Sequence, residues 1–420
     1  MDRAPPLARA GPKAWSNKQN KDFMAYDGGL SLENIETVAI GEPDSSWQSG
    51  LAKTITFIVT EACQLRCGYC YIIGKNETNR MTFTVAKASV DYILRNRKLF
   101  NEKSVIWDFI GGEPLLEIDL IDKICDYIKR QMYELDHPWF NSYRFSFSTN
   151  GLLYGHEKVQ RYIRKNRRHL SMSISIDGTK VKHDSQRVFP DGSGSYDAVV
   201  KNFPLWMSQF LGAGTKATVA HPDLPLLKES VVHLWEMGLT NVAINLVSED
   251  VWKPGDDLIY EDQLKQLADY IIEHELYNTH NCSFFSKIIG QPIDRSDDGN
   301  WCGAGKMLAI DCNGAFYPCI RFVPFSMQNR PARVIGNCFD GLDLNKVRPF
   351  MVLNRSMQSP PQCMECEVAS GCAWCQGNNY DAAQTETIYQ RAIYTCNMHK
   401  ARVRANQYFW EKLASKLEQE

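Results

Sequence analysis

From Lys53 to about Tyr277 the chain alternates short apolar runs with longer stretches in which apolar residues recur every three or four positions. The runs span residues 54–59, 105–110, 143–148, 171–176, 215–219 and 242–246, each of strand length. Between them Val85, Ala88, Tyr92 and Leu99, and then Ile121, Ile124, Ile128 and Met132, carry the spacing of amphipathic helices. Further helices are expected over about 227–237 and 261–275. Six β–α units in series predict an α/β fold, a parallel sheet with right-handed crossover helices. Six is short of the eight that close a full barrel, so residues 53–280 are expected to form a partial (β/α)6 TIM-type barrel. Its open side suits a large substrate.

The flanks differ. Residues 1–21 hold Pro5, Pro6 and Pro12 without periodicity, which predicts disorder. Residues 23–51, with Gly28, Gly29 and Gly41, offer at most short strands capping the next domain, so 1–52 is set apart as a disordered start and capping segment. Residues 281–396 form a cysteine-rich region with a glycine-turned hairpin ending at Cys319. The tail, 397–420, carries Val403, Tyr408, Phe409 and Leu413 as one face of a helix.

Charge changes the picture only by exclusion. With 47 basic and 49 acidic residues, composition supplies no reason to expect nucleic acid or an anionic membrane as partner. No run approaches 18 apolar residues and the N-terminus lacks the apolar stretch of a signal peptide, so a cytoplasmic protein is expected. In that compartment thiols stay reduced, and fourteen cysteines point to metal ligation rather than disulfides. Cys125, Cys282 and Cys338 stand apart and are assigned to packing.

Candidate chemistry collects where strands end. Cys63, Cys67 and Cys70, spaced C-x3-C-x2-C, follow the first strand. Three thiolates on a 4Fe-4S cluster leave one iron open to a substrate or cofactor atom. Gly111-Gly-Glu-Pro114 follows the second strand, Thr149-Asn-Gly151 the third and Asp177-Gly178 the fourth. Each alone is ordinary turn chemistry, and the triplet alone suits part of a zinc site or buried thiols. Their joint placement at the carboxyl ends of parallel strands is where such sheets bind ligands.

The set resembles the radical S-adenosylmethionine (SAM) enzymes. The resemblance implies that the open iron binds SAM through its amino and carboxylate groups, and that an electron from the cluster yields a 5'-deoxyadenosyl radical. It places Tyr69 against the adenine and the Gly111, Gly112 and Glu113 segment on the amine. Glycine lets backbone approach a ligand, and Glu113 can accept a charge-assisted bond from the ammonium. Asn150, Ser175 and Asp177 resemble positions that reach the ribose and carboxylate, and Arg187 suits the carboxylate by its chemistry. No general base is assigned; Asp108, His183 and Asp184 are treated as structural or SAM-orienting.

The later cysteines, Cys302-x11-Gly-x4-Cys319, Cys363-x2-Cys366-x5-Cys372-x2-Cys375 and Cys396, are similar to the SPASM domain, an auxiliary-cluster module of radical SAM enzymes that modify peptides. That resemblance implies one auxiliary cluster on Cys302, Cys319 and Cys375, with Cys312 or an open iron completing it. The second would use Cys363, Cys366, Cys372 and Cys396, giving three 4Fe-4S clusters in all. The chain departs from the family in having two residues, Ala373 and Trp374, where three usually separate the last central cysteines. Structural zinc on the same thiols is the alternative. Ile320 stands where sulfatase maturases carry an acid, which discounts that branch. The implied activity is an oxidoreductase that modifies a ribosomally made precursor peptide, installing thioether crosslinks. Carbon–carbon or carbon–oxygen links, epimerisation, a non-enzymatic iron–sulfur electron carrier and a zinc-stabilised scaffold are the alternatives. The implied partners are the precursor peptide, a donor such as flavodoxin or ferredoxin, and a separate leader-recognition protein, since 52 residues are too few for a whole leader-binding domain.

Overall fold

The computed structural model describes residues 52–72, 78–212, 214–294, 296–299, 302–382 and 387–419. The expected disordered start and capping strands lie outside the described residues. Those described belong to one compact unit beginning at Gly41.

Six strands take the positions expected from the apolar runs: β1 (Lys53–Thr60), β2 (Val105–Gly111), β3 (Tyr143–Thr149), β4 (Leu170–Ile174), β5 (Thr215–Val219) and β6 (Asn241–Leu246). The intervening helices are α1 (Phe83–Arg95), α2 (Ile118–Glu134), α3 (Glu157–Asn166), α4 (Lys180–Gln186), α5 (Tyr196–Val200), α6 (Phe203–Gln209) and α7 (Leu227–Glu236), with α8 (Asp256–Glu273) after β6. β1 to β4 pair in parallel and in order. β5 and β6 form a second sheet with β7 (Asn281–Cys282). Side chains bridge the break. Thr215 Oγ1 donates to the Ile174 carbonyl at 2.6 Å and Ser173 Oγ to the Gly214 carbonyl at 3.0 Å.

On the other side of β1 the sheet runs on past the expected boundary at 280. β8 (Leu308–Ile310) pairs in parallel with β1 and turns through Gly314 into β9 (Ala315–Tyr317), the expected hairpin. Asp311 Oδ1 accepts from the Asn313 and Ala315 amides and shapes that turn. β10 (Gly336–Asn337) and β11 (Gly341–Leu342) complete an eight-stranded sheet in the order β11-β10-β9-β8-β1-β2-β3-β4. Then come α9 (Leu344–Val352), α10 (Arg355–Gln358), α11 (Pro361–Met364), α12 (Gln376–Asp381) and α13 (Cys396–Leu417). The tail helix α13 lies along α8, where Tyr408 and Lys412 reach Asp269 and Arg404 reaches Glu261.

The two faces of the main sheet have different chemistry. Phe57, Trp107, Phe109, Phe145 and Phe147 are buried with Ile93 of α1 and Ile124 and Ile128 of α2; each such side chain contributes about 1.5–3 kcal/mol by leaving water. Parallel register puts Thr56 beside Asp108 and Asp108 beside Ser146 on the opposite, inner face. Parallel strands covered on both sides are normally apolar throughout. Here the inner face lines a cavity, which is why the strands alternate.

Candidate active site

The cysteine loop is fastened at three places. Gly112 N–H donates to the Thr60 carbonyl at 2.9 Å and Glu113 N–H to the Ala62 carbonyl at 2.8 Å. Arg66 N–H donates to Val188 O at 2.7 Å and Gly68 N–H to Gln186 O at 2.9 Å. Asn150 Nδ2 donates to Gln64 Oε1 at 3.2 Å and approaches Cys63 Sγ at 3.9 Å. Asn150 thus serves the loop itself, while its Oδ1 accepts from Leu152 N–H.

The glycine pair has a local cause too. A Cβ on Gly112 would stand 2.1 Å from the Ala62 carbonyl oxygen, and one on Gly111 2.3 Å from that of Thr60. Besides lining the cavity, these glycines let the second strand end pack against the cysteine loop.

Cys63, Cys67, Cys70, Tyr69, Gly111, Gly112, Glu113, Asn150, Ser175 and Arg187 all line one cavity of about 770 Å³. Of the site residues expected near SAM, Asp177 alone is set back from it. Its Oδ1 accepts from Thr218 N–H at 3.0 Å, and its Oδ2 from Arg187 Nε at 3.0 Å and from the Tyr69 hydroxyl. Burial raises the Asp177 carboxyl, but the Arg187 and Lys182 cations outweigh it and hold the group below its ordinary range. Asp177 therefore positions Arg187, whose guanidinium lies 5.5 Å from the Tyr69 ring centroid. Glu113 is 1% exposed and accepts from Thr149 Oγ1 at 2.6 Å, Asn150 N–H at 2.8 Å and Leu115 N–H at 3.0 Å. Burial pushes its carboxyl up, so a cation in the cavity would gain by pairing with it.

Further along, the cavity is walled by residues that sequence reasoning passed over or left unassigned: Asp108, Ser146, Ser148, Lys216 and Thr218 from the inner strand faces, and Glu249, Arg321 and Tyr394 nearer the C-terminal region. Burial, the largest influence, raises the Asp108 carboxyl against the Ser146 hydroxyl, the Lys216 cation and the Thr56 hydroxyl. The signal was available: polar residues at alternate positions of β3 and β5, and Asp108 in the middle of β2, do not suit strands buried on both faces.

The later cysteines fall into two groups. Burial raises the Cys319 thiol most, and neighbouring Cys375 and Cys302 raise it further; Cys375 responds to burial and then to Cys302. Burial also raises Cys363 and Cys372, and both are influenced by Cys396 and Cys366. Cys312 belongs to neither group. Its thiol donates to the Ile58 carbonyl at 3.2 Å and burial pushes it up to about 12. Cys125 meets the Tyr162 hydroxyl, Cys282 is buried in β7, and Cys338 lies under Gly314. Among the described residues no three His, Cys, Asp or Glu side chains close in as ligands of a single metal ion. Thiolates of one zinc, at about 2.3 Å from the metal, would sit roughly 4 Å apart; a four-iron cluster requires them wider. Cys63, Cys67 and Cys70 share one cavity wall and none is in a disulfide, which fits such a group.

Residues 57–205 match the Radical SAM superfamily. The chain contains a radical SAM domain. Such a domain implies a 4Fe-4S cluster and SAM. An uncharacterised protein of Methanocaldococcus jannaschii is 31% identical over 195 residues, 46% of this chain and 63% of that protein, so the match spans less than two thirds of that relative. The radical SAM cyclopropyl synthase TigE of Paramaledivibacter caminithermalis is 21% identical over 91% of this chain and 80% of its own length. Among solved structures, anSMEcpe with bound AdoMet and a Kp18Cys peptide superposes with a TM-score of 0.65 at 17% identity, over 88% of this chain and 100% of that one. Streptococcus suis SuiB bound to precursor peptide SuiA does so at 0.56 and 16%, over 82% and 76%. These likenesses establish the fold. Among the described residues no helix is long and apolar enough to cross a membrane.

Proposed function

We propose that this chain is a peptide maturase that installs thioether crosslinks, joining a cysteine sulfur to a carbon of a ribosomally made precursor peptide. The observation that carries the reading is one cavity with Cys63, Cys67 and Cys70 at its walls and Cys375, Arg321 and Glu249 along the same space. A bound 4Fe-4S cluster and SAM would supply radical hydrogen abstraction. The chain's own residues would hold them: the three cysteines as cluster ligands, Glu113 for the SAM ammonium, Ser175 and Arg187 for its carboxylate and ribose, and Tyr69 for the adenine. Asp177 and Asn150 hold Arg187 and Cys63 in place. The hydroxyls of Ser146, Ser148 and Thr218 offer bonds to a peptide backbone.

Residues 281–396 act in this reading as the SPASM region. Cys302, Cys319 and Cys375 would hold one auxiliary cluster, with Cys312 turned instead to the Ile58 carbonyl. Cys363, Cys366, Cys372 and Cys396 would hold the other, for three clusters in all. The reaction runs in the cytoplasm with a small electron donor such as flavodoxin or ferredoxin, and with leader recognition by another surface or a separate protein.

A carbon–carbon link is the second reading, favoured by the likeness to the cyclopropyl synthase over 91% of this chain. The test is the mass of a cysteine-containing peptide encoded beside this gene, after anaerobic reaction with reduced enzyme and SAM and then thiol alkylation. Loss of two hydrogens with loss of one alkylatable thiol is expected. The same loss with every thiol still alkylatable would overturn the thioether reading in favour of the second.

A further inference from the structure

One charged pair joins three parts of the chain beside the first auxiliary thiol group. Arg321 lies two residues after Cys319, and Gly377 two residues after Cys375. A Cβ on Gly377 would stand 2.6 Å from Arg321 Cβ, so the two cysteine-bearing segments touch at this point. The Arg321 guanidinium lies 5.1 Å from the ring centroid of Tyr71, the residue after Cys70. Its Nη1 donates to Glu249 Oε1 at 2.5 Å, from the loop after β6. The two side chains are 25% and 23% exposed, which leaves their fields only partly screened.

We propose that the Arg321–Glu249 pair sets the reduction potential of the cluster held by Cys302, Cys319 and Cys375, with the arginine as the near, potential-raising pole. This rests on the auxiliary-cluster reading above. Closing a C–S bond removes one hydrogen atom to the deoxyadenosyl radical and one proton from the thiol, and leaves one electron needing an acceptor. Reduction adds negative charge to a cluster, so a fixed cation beside it favours the reduced form and an anion opposes it. Arg321 is the nearer pole by its place in the chain, two residues after Cys319 and with its Cβ against Gly377, two residues after Cys375. Glu249 moderates its pull and fixes the side chain that delivers it. Arginine suits the place because its cation lies over the Tyr71 ring and stays charged at every working pH.

The experiment is an anaerobic redox titration of the reconstituted full-length protein followed by electron paramagnetic resonance, with the signal assigned by Cys375→Ser. Arg321→Gln should lower that cluster's midpoint potential and Glu249→Gln should raise it. The double variant should fall between them, Arg321→Lys should stay near wild type, and the other midpoints should not move. A merely structural role would shift both single variants in one direction or neither, and either result overturns the proposal. If Ala at Cys302, Cys319 and Cys375 together leaves iron content and the number of paramagnetic centres unchanged, the auxiliary-cluster reading fails and takes the tuning with it. Iron lost in that variant, with potentials unmoved by Arg321 and Glu249, refutes the tuning alone.

Discussion

Replacing Gly112 with alanine tests whether the second strand end holds the cysteine loop. The new Cβ would meet Ala62 O at 2.1 Å, Ala62 C at 2.5 Å and Glu61 O at 2.6 Å, all backbone atoms with no side chain to swing aside. Overpacking of this kind costs about 1–3 kcal/mol. If the strands part, the bonds from Gly112 N–H to Thr60 and from Glu113 N–H to Ala62 go too, at about 0.5–1.5 kcal/mol each. The sum is roughly 2–6 kcal/mol, and the low end already reduces the competent loop about thirtyfold. Because the strain falls on Glu61 and Ala62, directly before Cys63, the first cluster should suffer before the fold. The assay is the change that SAM produces in the paramagnetic resonance spectrum of the reduced protein, with iron content and thermal midpoint alongside. Gly192→Ala is the control, since nothing lies within 4 Å of its Cβ and only its backbone φ of +85° opposes the change. Gly112→Ala protein with wild-type iron content and an undiminished response to SAM would refute the reasoning.

Two further outcomes follow from buried charge. Lys182 and Asp223 are 0% and 1% exposed with 3.8 Å between them, and Asp223 also holds Gln186, whose carbonyl receives Gly68 of the cysteine loop. Lys182→Met should destabilise the protein by about 3–5 kcal/mol in denaturant titration, because it strands a buried carboxylate; a loss below about 1 kcal/mol would contradict this. His137 is buried and, chiefly through that burial and secondarily through Arg97, has its pKa lowered from 6.5 to about 4. The unfolded chain then binds the extra proton between about pH 6.5 and 4. Stability is therefore full above that window and falls as pH drops through it, by about 1.3 kcal/mol between pH 7 and 5.5. His137→Asn should reduce the slope by that amount, and an unchanged slope would count against it.

Much of the site was legible because its parts are local. The spacing of Cys63, Cys67 and Cys70, the Gly-Gly-Glu-Pro turn and the strand runs each occupy a few consecutive residues, and β5 runs over 215–219 as the apolar pattern predicts. The tail helix and the β8–β9 hairpin were likewise visible in short windows. Asp177 shows the limit. Its position after β4 marked it as part of the site, but the sequence does not say that Thr218, Tyr69 and Arg187 would take both of its oxygens and set it behind the cavity.

Local pattern determined the elements, the order in which they follow one another, and the radical SAM character of the first cysteine loop. Tertiary structure alone decided that β8 would join β1, carrying the cysteine-rich region onto the barrel's own sheet. It decided that Glu249 would meet Arg321 across 72 residues. The physical reason is one of range. Periodicity and turn chemistry act over a few residues, whereas strand partners and ion pairs are chosen by which surfaces must leave water together.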